Sequence, residues 1–318
     1  MPRYIARRLL QAIPLLFIVT VISFLIINLA PGGPLGMFVN LETSAPTDIE
    51  RIRVQLGLDK PIPVRYVIWL GNLLKGDLGL SYLTRRPVAS MLLEALPNTL
   101  LLSLCATIFS FAVAIPAGIA SAVKRNTAVD YAFSTLSFIG VSLPSFWFGL
   151  MMILVFSLKL GWLPSSRMYS LELEGFHLGD RLVHLILPTI VLGMGTMASK
   201  MRYMRSAMLE VIRQDYVRTA RAKGLAGSVV IWKHALRNAL LPVITLLGVI
   251  IPSLVGGAVL VETIFAWPGI GRIAITASFN RDYPLIMGNL LLSSVMVILG
   301  SLVADVLYSL ADPRIRFD

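Results

Sequence analysis

The middle of the chain carries a short basic stretch, Tyr216-Val-Arg-Thr-Ala-Arg-Ala-Lys-Gly224, inside a longer block that runs from Lys200 to Arg237. The block holds nine Lys or Arg residues and only two acids, and long apolar runs lie on both sides of it. This many charges are too costly for the core of a bilayer. The short stretch has the composition of a helix that ends at a glycine. We therefore predict a helix that is exposed on one face of a membrane.

The composition of the whole chain agrees with a membrane protein. Of its 318 residues 56% are hydrophobic and 14% are charged, and the mean hydropathy is +0.79; soluble domains have about 25% charged residues. A transmembrane helix needs roughly 17–25 apolar residues. The stretches without Asp, Glu, Lys or Arg that can each hold one are 9–41, 95–123, 131–158, 182–199, 238–261 and 283–304. We predict an all-α polytopic protein with six transmembrane helices, the first of them a retained anchor rather than a cleaved signal peptide.

The distribution of charge predicts the orientation of these helices. With six spans both termini lie on one side, which collects 16 basic and five acidic residues, a net charge of +11. The other side has 12 basic and 11 acidic residues. By the positive-inside rule the termini and the 200–237 loop are cytoplasmic. We predict a multi-pass protein of a bacterial or archaeal plasma (inner) membrane, and we explain the pI of about 10.1 by topology, with no nucleic-acid partner.

The segment after the first span predicts an extracytoplasmic cap. Thr47-Asp-Ile-Glu50 has the form of a capping box and opens a short amphipathic helix that ends at Gly57. A second amphipathic stretch follows Pro61 and Pro63. About 60 residues make a poor independent core, so packing on the spans is favoured over a separate binding domain. We divide the chain into residues 1–94, an N-terminal transmembrane helix plus this segment, and 95–318, a five-helix core with the 200–237 loop.

Motifs for catalysis, nucleotide binding or metal binding are not evident. The chain has no Gly-x-x-x-x-Gly-Lys-Ser/Thr loop for phosphates. Gly-x-Gly-x-x-Ala strings begin at Gly193 and Gly269, but neither follows a predicted strand. The histidines have no metal-ligand spacing and belong to no evident Ser/His/Asp group, and the lone Cys105 lies in an apolar span. We predict that the chain is not an enzyme and holds no metal or cofactor.

Two features of the spans leave alternatives open. Asp305 is the sole acid at membrane depth, and we favour a structural hydrogen-bonding role over a proton relay. Prolines interrupt the spans at Pro14, Pro116, Pro144, Pro188, Pro242 and Pro252. They predict either simple bends or a pathway lined by irregular backbone.

The basic loop carries the strongest indication of function. Ala220 and Gly224 are four residues apart, on one face of the predicted helix, and Thr219 and Ala222 are small as well. Small side chains let a partner approach closely. Basic residues, namely Arg218, Arg221 and Lys223, surround that face.

At these residues the chain resembles the inner-membrane permease subunits of ATP-binding-cassette importers, and most closely the first permease of the dipeptide/oligopeptide/nickel branch. Members share a cytoplasmic Glu-Ala-Ala-x-x-x-Gly-x9-Ile-x-Leu-Pro loop that docks on the ATPase. Here Arg218-Thr-Ala220 stands at Glu-Ala-Ala, Gly224 at the glycine and His234-Ala-Leu-Arg237 at Ile-x-Leu-Pro. The departures, such as Arg237 for the proline, are usual in this branch.

The resemblance extends over almost the whole chain, through the strings Leu56-Gly-Leu-Asp-Lys-Pro61, Gly76-Asp-Leu-Gly-Leu-Ser81, Trp267-Pro-Gly-Ile-Gly271, Arg281-Asp-Tyr-Pro284 and Asp312-Pro-Arg-Ile-Arg316. It implies the fold of a type I importer permease and a set of ATPase-coupling residues: Asp215, Tyr216, Arg218, Thr219, Ala220, Arg221, Lys223, Gly224, His234, Arg237 and Asn238. No substrate-binding residues are predicted.

The same resemblance implies the partners. They are a second homologous permease, two cytoplasmic subunits that bind ATP, an extracytoplasmic substrate-binding protein and the lipid bilayer. Peptides are the implied substrate, with nickel, glutathione or another small solute as alternatives. A proton-coupled secondary peptide transporter is a further alternative, but it would need more ionisable groups within the spans than this chain has.

Overall fold

The computed structural model describes residues 2–29, 33, 35, 46–55, 57–240, 243 and 258–311, which are helices and their connections apart from one isolated antiparallel bridge between Leu80 and Pro87. In chain order the helices are α1 (Pro2–Leu29), α2 (Pro46–Gln55), α3 (Ile62–Leu74), α4 (Val88–Val123), α5 (Ala128–Ser142), α6 (Ser145–Met152), α7 (Leu178–Val211), α8 (Asp215–Ala222), α9 (Gly227–Val229), α10 (Leu236–Ala239), α11 (Val259–Ile264), α12 (Ile270–Phe279) and α13 (Tyr283–Ala311). Two π-helical stretches, Ile153–Lys159 and Val230–Ala235, continue α6 and α9. The all-α prediction is confirmed.

Long apolar helices account for most of the predicted spans. Four of them are long enough to cross a membrane: Tyr4–Leu29, Val88–Val123, Leu178–Val211 and Tyr283–Val306. A fifth predicted span is a bent pair, Ala128–Ser142 with Ser145–Lys159. The predicted span 238–261 lies almost entirely outside the described residues. The structure therefore describes four or five spans, and the count of six is approximate.

The bent pair departs from the single helix predicted over 131–158. Its two halves meet at an angle of 104°. Pro144 lacks an N–H and disfavours helical backbone in the residue before it, and Leu143 has an extended conformation with φ −77° and ψ 125°. Pro14, Pro116 and Pro188, by contrast, lie inside continuous helices. Of the two roles left open for the prolines, irregular backbone therefore applies to Pro144, whereas these three do not interrupt their helices.

The outer segment packs on the first span. The rings of Tyr66 and Trp69 in α3 lie 5.4 and 5.8 Å from the ring of Phe24 in α1. The Tyr66 hydroxyl also lies 2.9 Å from the hydroxyl of Thr20. Gly57, which follows α2, has a φ of +64°, as expected for a stop signal. These contacts agree with a cap on the spans.

Helices α4 and α7 form the closest helix pair of the core. A Cβ atom at Gly118 would lie 2.7 Å from the Cβ of Met204, and one at Gly193 would lie 2.8 Å from the carbonyl oxygen of Ala106. Such distances leave no room for a side chain, so both glycines allow the backbones to approach. Close packing at small residues is a main source of helix association in a bilayer. Gly193 thus serves helix packing.

Asp305 connects the first and last spans. It accepts a hydrogen bond of 2.8 Å from the Tyr4 hydroxyl and lies 3.1 Å from Nη2 of Arg8. The predicted structural hydrogen-bonding role of Asp305 is confirmed.

Candidate functional site

The basic stretch folds as predicted, as a short helix ended by a glycine. α8 covers Asp215–Ala222 and follows a bend at Gln214, whose backbone is extended. The N–H of Gly224 donates a 2.9 Å hydrogen bond to the carbonyl of Arg221. Gly224 has a φ of +74°, in the left-handed region where only glycine is free of a steric penalty. A Cβ at this position would meet nothing within 4 Å, so the backbone conformation is what requires a glycine here.

One face of α8 is anchored to the chain's own core. Val217 and Ala220 are buried in a cluster with Met204 and Met208 of α7 and with Val230. Ala220 was predicted to share an open, small-residue face with Gly224. Its side chain is instead only 5% exposed and packs inside the protein. A larger residue there would disturb the packing of this cluster, so Ala220 positions the helix.

The opposite face of α8 is charged and exposed. The side chains of Asp215 and Arg218 are 93% and 79% exposed and form a loose ion pair at 3.6 Å. Thr219, Arg221 and Lys223 are exposed beside them. Exposed ion pairs contribute little to stability, so these side chains are free to contact a partner.

The second half of the predicted site lies next to α8. The amide of Asn238 donates a 2.7 Å hydrogen bond to the hydroxyl of Tyr216. Arg237 is exposed, and His234 is half-buried within the π-helical stretch Val230–Ala235. π-helical turns occur often at functional sites. The stretch also supplies Val230 and Ala235 to the cluster under α8.

The structure thus brings the two parts of the predicted site into one surface. Nine of its residues are exposed there: Asp215, Tyr216, Arg218, Thr219, Arg221, Lys223, Gly224, Arg237 and Asn238. We call these nine residues the α8 surface. His234 lies partly beneath it and Ala220 wholly beneath it.

A buried ion pair near the α8 surface was not predicted. Asp130, in the first turn of α5, is 3% exposed and accepts hydrogen bonds of 2.8 Å from both Nε and Nη2 of Arg205 in α7. The hydroxyl of Ser121 in α4 and the N–H of Asn126 donate to the same carboxylate. The pair joins α4, α5 and α7 just before α8 begins.

At the opposite end of the bundle, a fully buried carboxylate explains the Gly-x-Gly-x-x-Ala string that begins at Gly269. Glu262 accepts a 2.6 Å hydrogen bond from the Thr99 hydroxyl and a 3.1 Å bond from the N–H of Arg272. A side chain at Gly269 would collide with this carboxylate, and one at Gly271 would lie 2.6 Å from the backbone of Val259. The glycines therefore let the start of α12 close around a carboxylate, which helix N-termini favour.

Two of the strings that carry the family resemblance, Gly76-Asp-Leu-Gly-Leu-Ser81 and Arg281-Asp-Tyr-Pro284, contact each other. Asp282 is 1% exposed and accepts a 2.5 Å hydrogen bond from the Ser81 hydroxyl. The backbone N–H groups of Tyr82 and Leu83 donate to the same carboxylate at 3.0 and 3.3 Å. Asp282 thereby fixes the outer segment to the start of α13.

Ser170, in the loop before α7, meets Asp180 and His184 at the start of α7 in a Ser/His/Asp group that was not predicted. Ser170 donates to Asp180 at 2.7 Å and lies 3.2 Å from Nε2 of His184, and Nδ1 of His184 lies 3.0 Å from the carbonyl of Ser166. In a hydrolase the imidazole lies between serine and aspartate; here the aspartate binds the serine directly. The group fixes the loop to the start of α7.

Together, apolar helices of membrane-crossing length and an exposed charged helix define a polytopic integral membrane protein. Family models describe both parts of the chain. Residues 114–317 match "Binding-protein-dependent transport system inner membrane component", and residues 1–105 match the N-terminal model of the same membrane components. The chain belongs to this family of inner-membrane transport components.

Similar proteins span the full length of the chain. It is 46% identical to the oligopeptide transport system permease protein AppB of Bacillus subtilis, with 100% of both chains covered. It is 46% identical to the di/tripeptide transport system permease protein DppB of Pseudomonas aeruginosa over 98% of both chains, and 40% identical to the glutathione transport system permease protein GsiC of Escherichia coli over 100% of both. The chain has the permease fold of a type I ABC importer: it is similar to a chain of the inward-facing MetNI methionine ABC transporter, with a TM-score of 0.57 at 20% identity over 70% of this chain and 96% of that one.

Proposed function

We propose that this chain forms half of the translocation path of an ATP-binding-cassette importer for peptides, with di- or oligopeptides as the substrates. The proposal is supported by the full-length similarity to relatives named as peptide permeases. Glutathione is the second candidate, because a full-length relative at 40% identity is named as a glutathione permease. Nickel and other small solutes are the remaining alternatives.

The proposed assembly contains a second homologous permease, two cytoplasmic ATP-binding subunits and an extracytoplasmic substrate-binding protein. In this assembly the partner subunits bind and hydrolyse ATP. The chain itself contributes a path and a docking surface, without a cofactor or an ATPase site of its own.

The α8 surface is the proposed contact with one ATP-binding subunit. The observation that carries this proposal is the two-sided structure of α8, with Val217 and Ala220 buried in the cluster that includes Met204 and Met208 of α7 and the charged side chains exposed. A ligand shifts a conformational equilibrium only through different contacts in the two states. A helix that is fixed to a span on one side and open on the other transmits such a difference from the ATPase to the spans.

This proposal includes the predicted orientation, with both termini and the α8 surface in the cytoplasm. It also includes the predicted division of the chain into residues 1–94 and residues 95–318. Cysteines at Lys75 and at Ser228, in a Cys105→Ser background, test the orientation, since both positions are exposed. An impermeant thiol reagent added to intact cells is expected to label Lys75→Cys and not Ser228→Cys. Labelling of Ser228→Cys from outside would contradict it.

Uptake by the complete complex tests the function. Proteoliposomes that contain ATP are given the substrate-binding protein and labelled tripeptide, glutathione or Ni²⁺. We expect uptake of peptide that disappears when the P-loop lysines of the ATPases are replaced and that survives a protonophore. Uptake of glutathione or Ni²⁺ alone would reassign the substrate, and protonophore-sensitive uptake without ATP would replace the importer by a secondary transporter.

A further inference from the structure

A cavity of about 290 Å³ lies between α4, α5 and α7, on the side of the bundle where α8 begins. Its apolar walls are Phe133, Phe138 and Met201. Its polar lining consists of three serines and two arginines: Ser121, Ser134, Ser137, Arg202 and Arg205. A cavity with positive charge and hydroxyl groups on one part of its lining and aromatic and thioether groups on another suits an amphiphile with an anionic head.

Three of the five polar groups already have a partner. Arg205 and Ser121 bind the carboxylate of Asp130, and the hydroxyl of Ser134 lies 3.5 Å from the same carboxylate. Asp130 therefore neutralises Arg205 and fixes this wall of the cavity. The positive charge of Arg202 is not neutralised by Asp130.

Arg202 and Ser137 are the two polar groups left over. Among the residues that the structure describes, Arg202 forms no ion pair with a carboxylate, and its guanidinium lies 6.0 Å from the ring centroid of Phe138. Ser137 is 1% exposed, and its hydroxyl has no hydrogen-bond partner within the described ranges. A buried polar group without a partner costs free energy. One anion bound in the cavity would supply both missing interactions.

The position of the cavity indicates where the anion comes from. Ser134 and Ser137 lie within the first two turns of the predicted span 131–158, and Arg202 lies three residues after the end of the charge-free run 182–199. The cavity is therefore at headgroup depth, at the end of the spans with the excess of basic residues. Basic pockets between transmembrane helices at this end suit the head groups of anionic lipids.

We propose that this cavity binds the phosphate group of an anionic phospholipid, with Arg202 and Ser137 as its ligands and Phe133, Phe138 and Met201 against the acyl chains. The chemistry that is recognised is a phosphate oxyanion, and the lipid source is favoured over free phosphate by the apolar walls and the depth. A lipid held between α5 and α7 would brace the bundle just before the α8 surface.

The test uses the complete transporter in nanodiscs of phosphatidylcholine with increasing fractions of phosphatidylglycerol, followed by native mass spectrometry to count retained phosphatidylglycerol. We expect Arg202→Gln to weaken retention about fivefold, the size expected for one basic residue at an anionic surface. Ser137→Ala should weaken it by a smaller factor without any change of charge. Arg202→Lys should retain most of the binding.

Arg213→Gln is the matched control, because Arg213 is exposed in the same basic block and is not among the residues that line this cavity. Equal retention by the parent and Arg202→Gln, or an equal loss in Arg213→Gln, would overturn the proposal. Inorganic phosphate that competes with phosphatidylglycerol, or binds in its absence, would overturn the lipid assignment. The lipid count is measured without substrate or ATP, so the result does not depend on the proposed function. Both leaflets of the nanodisc have the same lipid composition, so the result does not depend on the proposed orientation either.

Discussion

Asn238 donates a 2.7 Å hydrogen bond to the hydroxyl of Tyr216, although 22 residues separate them in the chain. The bond joins the two parts of the α8 surface, because Tyr216 lies in the first turn of α8 and Asn238 lies in α10. Both residues are exposed, so this bond fixes their relative position where a partner would bind.

The bond between Tyr216 and Asn238 predicts a coupling between the two positions. Tyr216→Phe and Asn238→Ala are each expected to reduce ATPase association with the purified permeases, and the double variant should be little weaker than either single one. A titration of the ATPase subunit against the variants measures this. Additive losses in the double variant would mean that the two side chains act independently.

Gly224→Leu is expected to abolish uptake while membrane insertion is normal. A non-glycine residue at a φ of +74° costs about 1–2 kcal/mol, which shifts the end of α8. Gly227→Leu is the matched control, since Gly227 has equally open surroundings and no positive φ. Uptake and ATPase association should fail in Gly224→Leu alone. Equal damage in both variants would point to bulk at the surface rather than to the turn.

Ala220→Glu and Thr219→Glu should fail in different ways, although the residues are adjacent. Ala220 is buried in the apolar cluster beneath α8 and Thr219 is exposed. A carboxylate at Ala220 must enter an apolar cluster, so the complex should lose thermal stability. Thr219→Glu should keep the parent's melting temperature and weaken ATPase association. An unchanged melting temperature in Ala220→Glu would show that its side chain is not held in the core.

The ion pair of Asp130 and Arg205 predicts a contribution to stability. Asp130 is 3% exposed and accepts two hydrogen bonds of 2.8 Å from Arg205, so an amide in its place would leave the guanidinium without a charged partner. Asp130→Asn should destabilise the subunit by about 2 kcal/mol, measured as a lower melting temperature than that of the parent.

Asp215→Asn is the control for this pair, since Asp215 is an exposed carboxylate, and it should leave the melting temperature unchanged. Equal melting temperatures of Asp130→Asn and the parent would contradict the stabilising role of the pair.

The parts of the fold that were predicted correctly depend on local sequence. Long runs without charged residues favour apolar surroundings over water along their whole length, so composition alone predicts the long helices. The end of α8 at Gly224 also follows from one residue and its backbone preference. The exposed charges of α8 follow from their positions on the helix.

The parts that were missed depend on contacts between distant residues. Ala220 was placed on the wrong face because helical spacing does not say which face meets α7. Pro144 breaks its span at 104° while Pro116 and Pro188 do not, because the neighbours of each proline decide the result. The partners of Asp130 and Glu262 lie on other helices, and no spacing in the sequence indicates them.

Crosslinking from α8 tests the central claim most directly. A photoreactive amino acid is placed at Arg221, exposed on α8, and, as a control, at Arg7, exposed on α1, which packs on α13 rather than near α8. Both positions are predicted to be cytoplasmic. We expect the complete complex to form a crosslink to the ATP-binding subunit from Arg221 and none from Arg7. No crosslink from Arg221, or equal crosslinks from both positions, would contradict the assignment of the α8 surface as the contact through which ATP drives transport.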